Sequence, residues 1–279
     1  MIYPDSMDDV VAKRALLDWY VTAGVDETIA EQPVDRFAVA QNAPAAETAD
    51  TPPATPPSPA QPQLNRSPPL QSRDAAVQTA QELAAAAATL EELRTVFEAF
   101  DGCPLKETAM SFVFADGNPD ATVMFIGEAP GAEEDRQGLP FVGPAGRLLD
   151  KMLAAIGLDR TGCYITNILP WRPPGNRNPT DTEIAACLPF LHRHIALMNP
   201  HLLLFVGGTA AKTLLRRTEG IMRLRGKWMN YEPATGTPVP ARALLHPVYL
   251  LRQPAQKRET WQDLLEIKAR LDEIPDPAT

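Results

Sequence analysis

The chain has 279 residues, of which 44% are hydrophobic and 29 are proline, and carries 26 Lys and Arg against 35 Asp and Glu. That length holds one large domain or two small ones, and no apolar run approaches the roughly 20 residues of a membrane helix. The net charge of −9 speaks against a uniformly polyanion-binding chain, and three scattered cysteines (Cys103, Cys163 and Cys187) with no C-x-x-C speak against a disulfide framework.

The first residues, "MIYPDSMDDVVAKR", are acidic and lack the basic-then-apolar order of a signal peptide, so a cytoplasmic location is the default expectation. Residues 7–24 read as a short amphipathic helix, with Val10, Val11, Leu16, Leu17 and Trp19 on its apolar side and Gly24 as a stop. We take 1–30 as a helical segment that docks a protein partner, folds back on its own domain, or is a remnant with no role. Residues 31–75 are rich in Pro, Ala, Ser, Thr and Gln. They bury too little to offset their ordering entropy, which predicts a disordered, extended linker.

From about residue 76 to 279 the pattern is that of a folded domain. "AAVQTAQELAAAAATLEELRTVFEAF" is helix-forming by its Ala and Leu content. Apolar runs at 122–127, 164–169, 202–206 and 241–245 predict strands. Segments 143–156, 180–198, 209–216 and 256–272 predict helices, with Thr180 and Glu183 spaced as a capping box. Strands without polar alternation, separated by helices, imply an α/β fold. The expectation is a three-layer α/β/α sandwich around a central, mostly parallel four-stranded sheet.

Ligands in such folds bind beyond the carboxyl ends of the strands. Glu128, Asn167, Gly207-Gly208 and His246 follow the four predicted strands in turn, and Phe141 lies in a turn close behind the first. No Walker loop, G-x-G-x-x-G, zinc-deaminase signature or nucleophile elbow accompanies them. A carboxylate, an amide, an imidazole and an aromatic ring suit a flat heterocycle. The charge is also uneven: residues 172–258 hold 13 basic and 4 acidic side chains. A nucleic-acid face and a plain solvated surface account for that patch equally well.

"GEAPGAEEDRQGLPFVG", "YITN", "RPPGNRNPT", "VGGTAA" and "HPVYLL", in this order and spacing, resemble the uracil-DNA glycosylase superfamily, closest to its family 4, over about residues 100–271. The resemblance implies a repair enzyme that flips uracil out of single- or double-stranded DNA and hydrolyses its N-glycosidic bond. The alternative is a member that binds uracil-containing or abasic DNA with little or no catalysis. Carried over by position, Glu128 and His246 are catalytic: Glu128 positions water, and His246 meets O2 of the leaving base. Ala129 and Pro130 wall the base pocket, Phe141 stacks on the base and Asn167 pairs with its N3 and O4 edge. Gly207 and Gly208 resemble a backbone-phosphate contact. Leu250 and Leu251 stand where the family presents a wedge into the base stack, with Arg252, Lys257 and Arg258 beside them for phosphates. A monomer is expected.

Two departures stand out. Family 4 holds a four-iron cluster on four cysteines. Only Cys103 and Cys187 fill those positions here, while Phe100 and Trp171 occupy the other two. Neither ring can ligate iron, so no cluster and no other metal is expected, and the two rings are expected to fill the space. The third residue of the first motif is Ala129 where an Asp base stands in other members, which leaves the chemistry of that turn to Glu128. "RPPGNRNPT" lacks the inserted basic loop through which a related subgroup becomes covalently attached to DNA, so turnover is expected.

Overall fold

A computed structural model describes residues 73–234 and 236–274. The expected helix at 7–24, and the expected linker as far as residue 72, lie outside them.

The predicted strands are fully buried because their side chains meet apolar neighbours on both faces. In Val123–Gly127, Val123 and Phe125 point into one core while Met124 and Ile126 point into the other. This is the period-two alternation of a strand covered on both sides. In chain order the strands are β1 (Ala115–Gly117), β2 (Val123–Gly127), β3 (Tyr164–Asn167), β4 (Leu202–Val206), β5 (Trp228–Tyr231) and β6 (Val239–Leu244). The sheet order is β1-β3-β2-β4-β6-β5. The expected four-stranded parallel core, β3-β2-β4-β6, is therefore present and is extended at each edge by one antiparallel strand. Sequence patterning misses both additions for physical reasons. β1 is three residues of "ADG", and β5 has two exposed residues among its four, so neither makes an apolar run.

The helices are α1 (Arg73–Ala86), α2 (Leu90–Ala99), α3 (Ala132–Gln137), α4 (Pro144–Ala155), α5 (Asp181–Met198), α6 (Gly208–Leu215), α7 (Ile221–Leu224), α8 (Pro247–Arg252) and α9 (Lys257–Asp272). α1, α2, α5 and α6 cover one face of the sheet, and α4, α8 and α9 cover the other. The Ala-rich stretch divides into α1 and α2 because Thr89 starts a new helix. Its hydroxyl accepts from the Glu92 N–H (3.1 Å), and Glu92 accepts from the Ala88 N–H (2.7 Å). The capping box at Thr180 forms as expected. The Thr180 hydroxyl accepts from the Glu183 N–H (3.2 Å), and Glu183 accepts from the Thr180 N–H (2.7 Å).

One charged network crosses the apolar layers. Arg242, in the middle of β6, is 1% exposed, as is Asp263 of α9. Arg242 donates to Asp263 at 2.8 Å and to Glu266 at 2.9 Å. Arg225 also donates to Asp263, at 2.9 Å. Two guanidinium groups thus share one buried carboxylate and tie α9 to the sheet. Asp263→Ala leaves Arg242 without its buried partner, so the expected loss is about 3–5 kcal/mol of unfolding free energy in a denaturant titration. A loss below about 1 kcal/mol, the level of an exposed pair, would contradict this role.

Candidate active site

Four strand ends supply one rim. β2 hands the chain to Glu128, Ala129 and Pro130, β3 ends at Asn167, β4 is followed by Gly207 and Gly208, and β6 stops two residues before His246. After β2 the chain adds β3 on one side and β4 on the other. A crevice opens at such a point. The parallel register sets Gly127 directly across from Asn167. Pairing continues past the strands through Ile168 N–H to the Gly127 carbonyl (3.0 Å) and Leu169 N–H to the Glu128 carbonyl (3.1 Å).

A cavity of about 400 Å³ occupies this crevice, and Glu128, Ala129, Pro130, Phe141, Asn167 and His246 all line it. Six residues expected from the sequence are therefore brought together. Their closeness depends on Gly127. A Cβ at that position would stand 2.3 Å from Asn167 Oδ1 and 2.7 Å from the Phe141 ring. The Phe141 ring lies 5.8 Å from the His246 imidazole, at 28° between planes. Phe141 itself has φ 55°, a left-handed conformation uncommon for a bulky side chain. Within the described residues, no hydrogen bond or ion pair occupies the Glu128 carboxylate or the Asn167 amide. Both remain available to a ligand or water.

His246 caps the first turn of α8. Its Nδ1 accepts from the Val248 N–H at 3.2 Å, so in the neutral ring the proton resides on Nε2. Burial pushes the imidazole down to about 4, while the nearby Glu134 carboxylate acts in the opposite direction. The ring is therefore a neutral N–H donor beside the Phe141 ring. Gly207 lies under it, with φ 102° and room for a Cβ only 3.2 Å from His246 Cδ2. Gly207 and Gly208 open α6 at the same rim, and Arg252 lines the cavity from the end of α8.

The expected wedge needs correction. Leu250 is 1% exposed and packs in the core with α4 and α9, because residues 247–252 form a helix whose inner face it occupies. Leu251, at 45%, Tyr249, at 39%, and Val248, at 36%, are the exposed apolar side chains there. The three acids after the first motif form α3, as its helix-opening composition suggests. Two of them turn inward. Asp135 accepts from the Met110 and Ser111 N–H groups at 2.8 and 3.0 Å, and Glu134 lines the cavity. Sequence reasoning missed both, and the Glu at the third position of α3 was the available signal.

The four positions to which the resemblance assigns cluster ligands hold two thiols and two rings, and a phenyl or indole ring cannot ligate iron. Cys103 and Cys187 are buried, free and in contact, and burial pushes the Cys187 thiol well up. Phe100 and Trp171 are 4% and 3% exposed in the same core. Phe100 packs 5.1 Å from Phe190, and Trp171 packs 5.5 Å from Phe97, which itself stacks on Phe190 at 4.1 Å. Phe97, Phe100, Trp171 and Phe190 thus form an aromatic cluster in the same core as Cys103 and Cys187. Among the described residues, no three or more His, Cys, Asp or Glu side chains gather as a metal site, and no helix is long and apolar enough to cross a membrane.

The family model of the Uracil DNA glycosylase superfamily matches residues 114–265. The chain is similar to the type-4 uracil-DNA glycosylase of Pyrobaculum aerophilum, with 37% identity over 194 residues, covering 68% of this chain and 98% of that protein. It is also similar to the type-4 uracil-DNA glycosylases of Archaeoglobus fulgidus (39% identity, 59% of this chain, 84% of that protein) and Thermotoga maritima (36%, 60% and 86%).

Protonation of His246 tests the geometry. An ordinary histidine titrates near 6.5, and burial disfavours the charged form. The folded chain therefore binds this proton less readily than the unfolded chain. The stability from a neutral His246 is present above about 6.5 and is lost as the pH falls through about 4. An NMR titration of the imidazole nitrogens is expected to show His246 neutral at pH 6, with its proton on Nε2. Titration near 6.5 would contradict the enclosure described.

Proposed function

This chain belongs to the uracil-DNA glycosylase superfamily, and from that premise we propose how its own residues release uracil from DNA. It is a hydrolase that acts on the N-glycosyl bond, in the service of DNA repair; a binding module without catalysis is not favoured. A base inside a duplex cannot reach the cavity, so the nucleotide flips out, at a cost of a few kcal/mol that is least for single strands and mismatches. The Phe141 ring takes the face of the base. The Asn167 amide offers an acceptor to N3–H and a donor to O4, the edge that distinguishes uracil from cytosine.

As the glycosidic bond breaks, its electron pair moves to the base and leaves an oxocarbenium-like sugar and a uracil anion. The Nε2–H of neutral His246 donates toward O2, where the negative charge develops. A fixed donor of this kind is worth on the order of 10²–10³ in rate. Glu128 orients a water that adds to the anomeric carbon and supports the cationic sugar, and the water's proton leaves by this carboxylate. Ala129 supplies no acid, so Glu128 carries that role alone. Ala129 and Pro130 shape the wall. On the DNA face, Leu251 takes the place of the wedge in preference to Leu250. Gly207, Gly208, Arg252, Lys257 and Arg258 are the groups we propose for phosphate contacts. The proposed working form is a monomer.

We also propose that the enzyme works without an iron–sulfur cluster, because two of the four ligand positions hold the buried rings of Phe100 and Trp171. The aromatic packing around them then does the bracing.

The observation that carries the reading is the Val248 N–H on His246 Nδ1, which turns the other ring nitrogen into a donor within the cavity. His246→Ala and Asn167→Ala are each expected to lower single-turnover uracil release by about 10²-fold or more on uracil-containing oligonucleotides, with melting unchanged for Asn167→Ala and lowered for His246→Ala by the loss of the α8 cap. Full activity in both variants would overturn the assignment. Protein purified from iron-replete cells is expected to contain no stoichiometric iron and no visible cluster absorbance; four irons per chain, the content of a four-iron cluster, would overturn the cluster-free proposal.

A further inference from the structure

The base pocket is built from two turns that no strand pairing joins. One is the turn after β2, residues 128–131. The other runs between α3 and α4 and carries Phe141. Something must fix the distance between them, because that distance sets where the Phe141 ring stands relative to Asn167 and His246.

Glu134 spans the two. It is 9% exposed, and one of its carboxylate oxygens accepts from the Gly131 N–H at 3.1 Å. The other accepts from the Val142 N–H at 2.9 Å and the Gly143 N–H at 2.8 Å. Three backbone donors from two turns thus converge on one carboxylate. A carboxylate is the side-chain group that answers them all with acceptors; a glutamine has one acceptor oxygen and would point N–H at N–H on the other arm.

The residue beside this grip is the strained one. Phe141 has φ 55°, and such a conformation persists only where its surroundings over-determine it. The Val142 and Gly143 amides are held by Glu134 on one side. On the other, Arg160 donates to the Phe141 carbonyl and, at 3.1 Å, to the Pro140 carbonyl. Arg160 is itself fixed by Asp116 at 2.5 Å and Asp150 at 2.9 Å. Gly146 completes the fit, since a Cβ there would come within 1.5 Å of the Phe141 carbonyl oxygen. Glu134 also lines the cavity, although nothing in its bonding requires it to touch a base.

We propose that Glu134 is a positioning residue of the glycosylase site: its carboxylate locks the Phe141 turn to the Gly131 turn and so places the stacking ring for the reaction. The proposal rests on the reading of the cavity as a uracil pocket with Phe141 as the stacking group. It concerns the reacting complex rather than general DNA affinity, so it separates from a purely structural role. Misplacement of bound groups by about 1 Å can cost on the order of 10²-fold in rate.

The test uses the full chain as wild type, Glu134→Ala, Glu134→Gln and Glu133→Gln. Glu133 is the neighbouring acid, paired with Arg136 and Gln137 on the outside of α3. Single-turnover uracil release, affinity for uracil-free DNA of the same length, and thermal melting are measured for each. Glu134→Ala is expected to slow release on the order of 10²-fold. Glu134→Gln, which keeps one arm of the grip, falls between it and wild type. Glu133→Gln matches wild type, and affinity for uracil-free DNA stays within about 2-fold throughout, since the phosphate contacts that dominate such affinity are untouched. Should Glu134→Ala not fold, Glu134→Gln alone decides. Release at the wild-type rate by a folded Glu134 variant, or an equal loss of affinity for uracil-free DNA, overturns the proposal. No release by wild type overturns the underlying reading instead, and the proposal with it.

Discussion

The parallel pairing of β2 with β3 is the constraint from which the site follows. It places Gly127 opposite Asn167, and the missing side chain at Gly127 lets an amide and an aromatic ring close over one strand end. A one-residue slip would turn every side chain of the strand to the other face, and both faces here are packed against helices. The register is therefore set by the apolar cores on the two sides. The residues we propose for the chemistry inherit their positions from it: Glu128 one step beyond the strand, His246 beyond the parallel neighbour two strands away.

Charge is then used where it is sheltered. His246 sits in an environment that keeps it neutral, and its backbone partner at Val248 decides which nitrogen carries the proton. Neutrality matters because a donor with a fixed orientation answers a developing anion without first losing water. The acids that follow the first motif look out of place in a DNA-binding protein, yet Glu134 and Asp135 spend their charge on backbone amides. Asp135 also lies 3.9 Å from the Arg172 guanidinium, and Glu133 pairs with Arg136 and Gln137 on the outer surface of α3.

Much of this was legible in the sequence. Four apolar runs marked the parallel core, the spacing of Thr180 and Glu183 marked a helix start, and the residues after each run marked the rim. What escaped was whatever depends on contacts distant in sequence or on which side of a short helix faces inward. Leu250 and Leu251 are adjacent and equally apolar, and only the packing of α8 on α4 separates a core residue from an exposed one. The edge strands carry no apolar run to announce them. Arg160 reaches Asp116 across 44 residues, and no local pattern points to it. Phe100 and Trp171 were read as replacements for cluster ligands, and both are buried in an aromatic layer against α5.

The central claim is that this cavity turns over. The most direct measurement counts free uracil released per chain from a large excess of a uracil-containing single-stranded oligonucleotide. The account predicts many uracils per chain, with an equal number of abasic sites. One uracil or none per chain, with the DNA remaining bound, would contradict it.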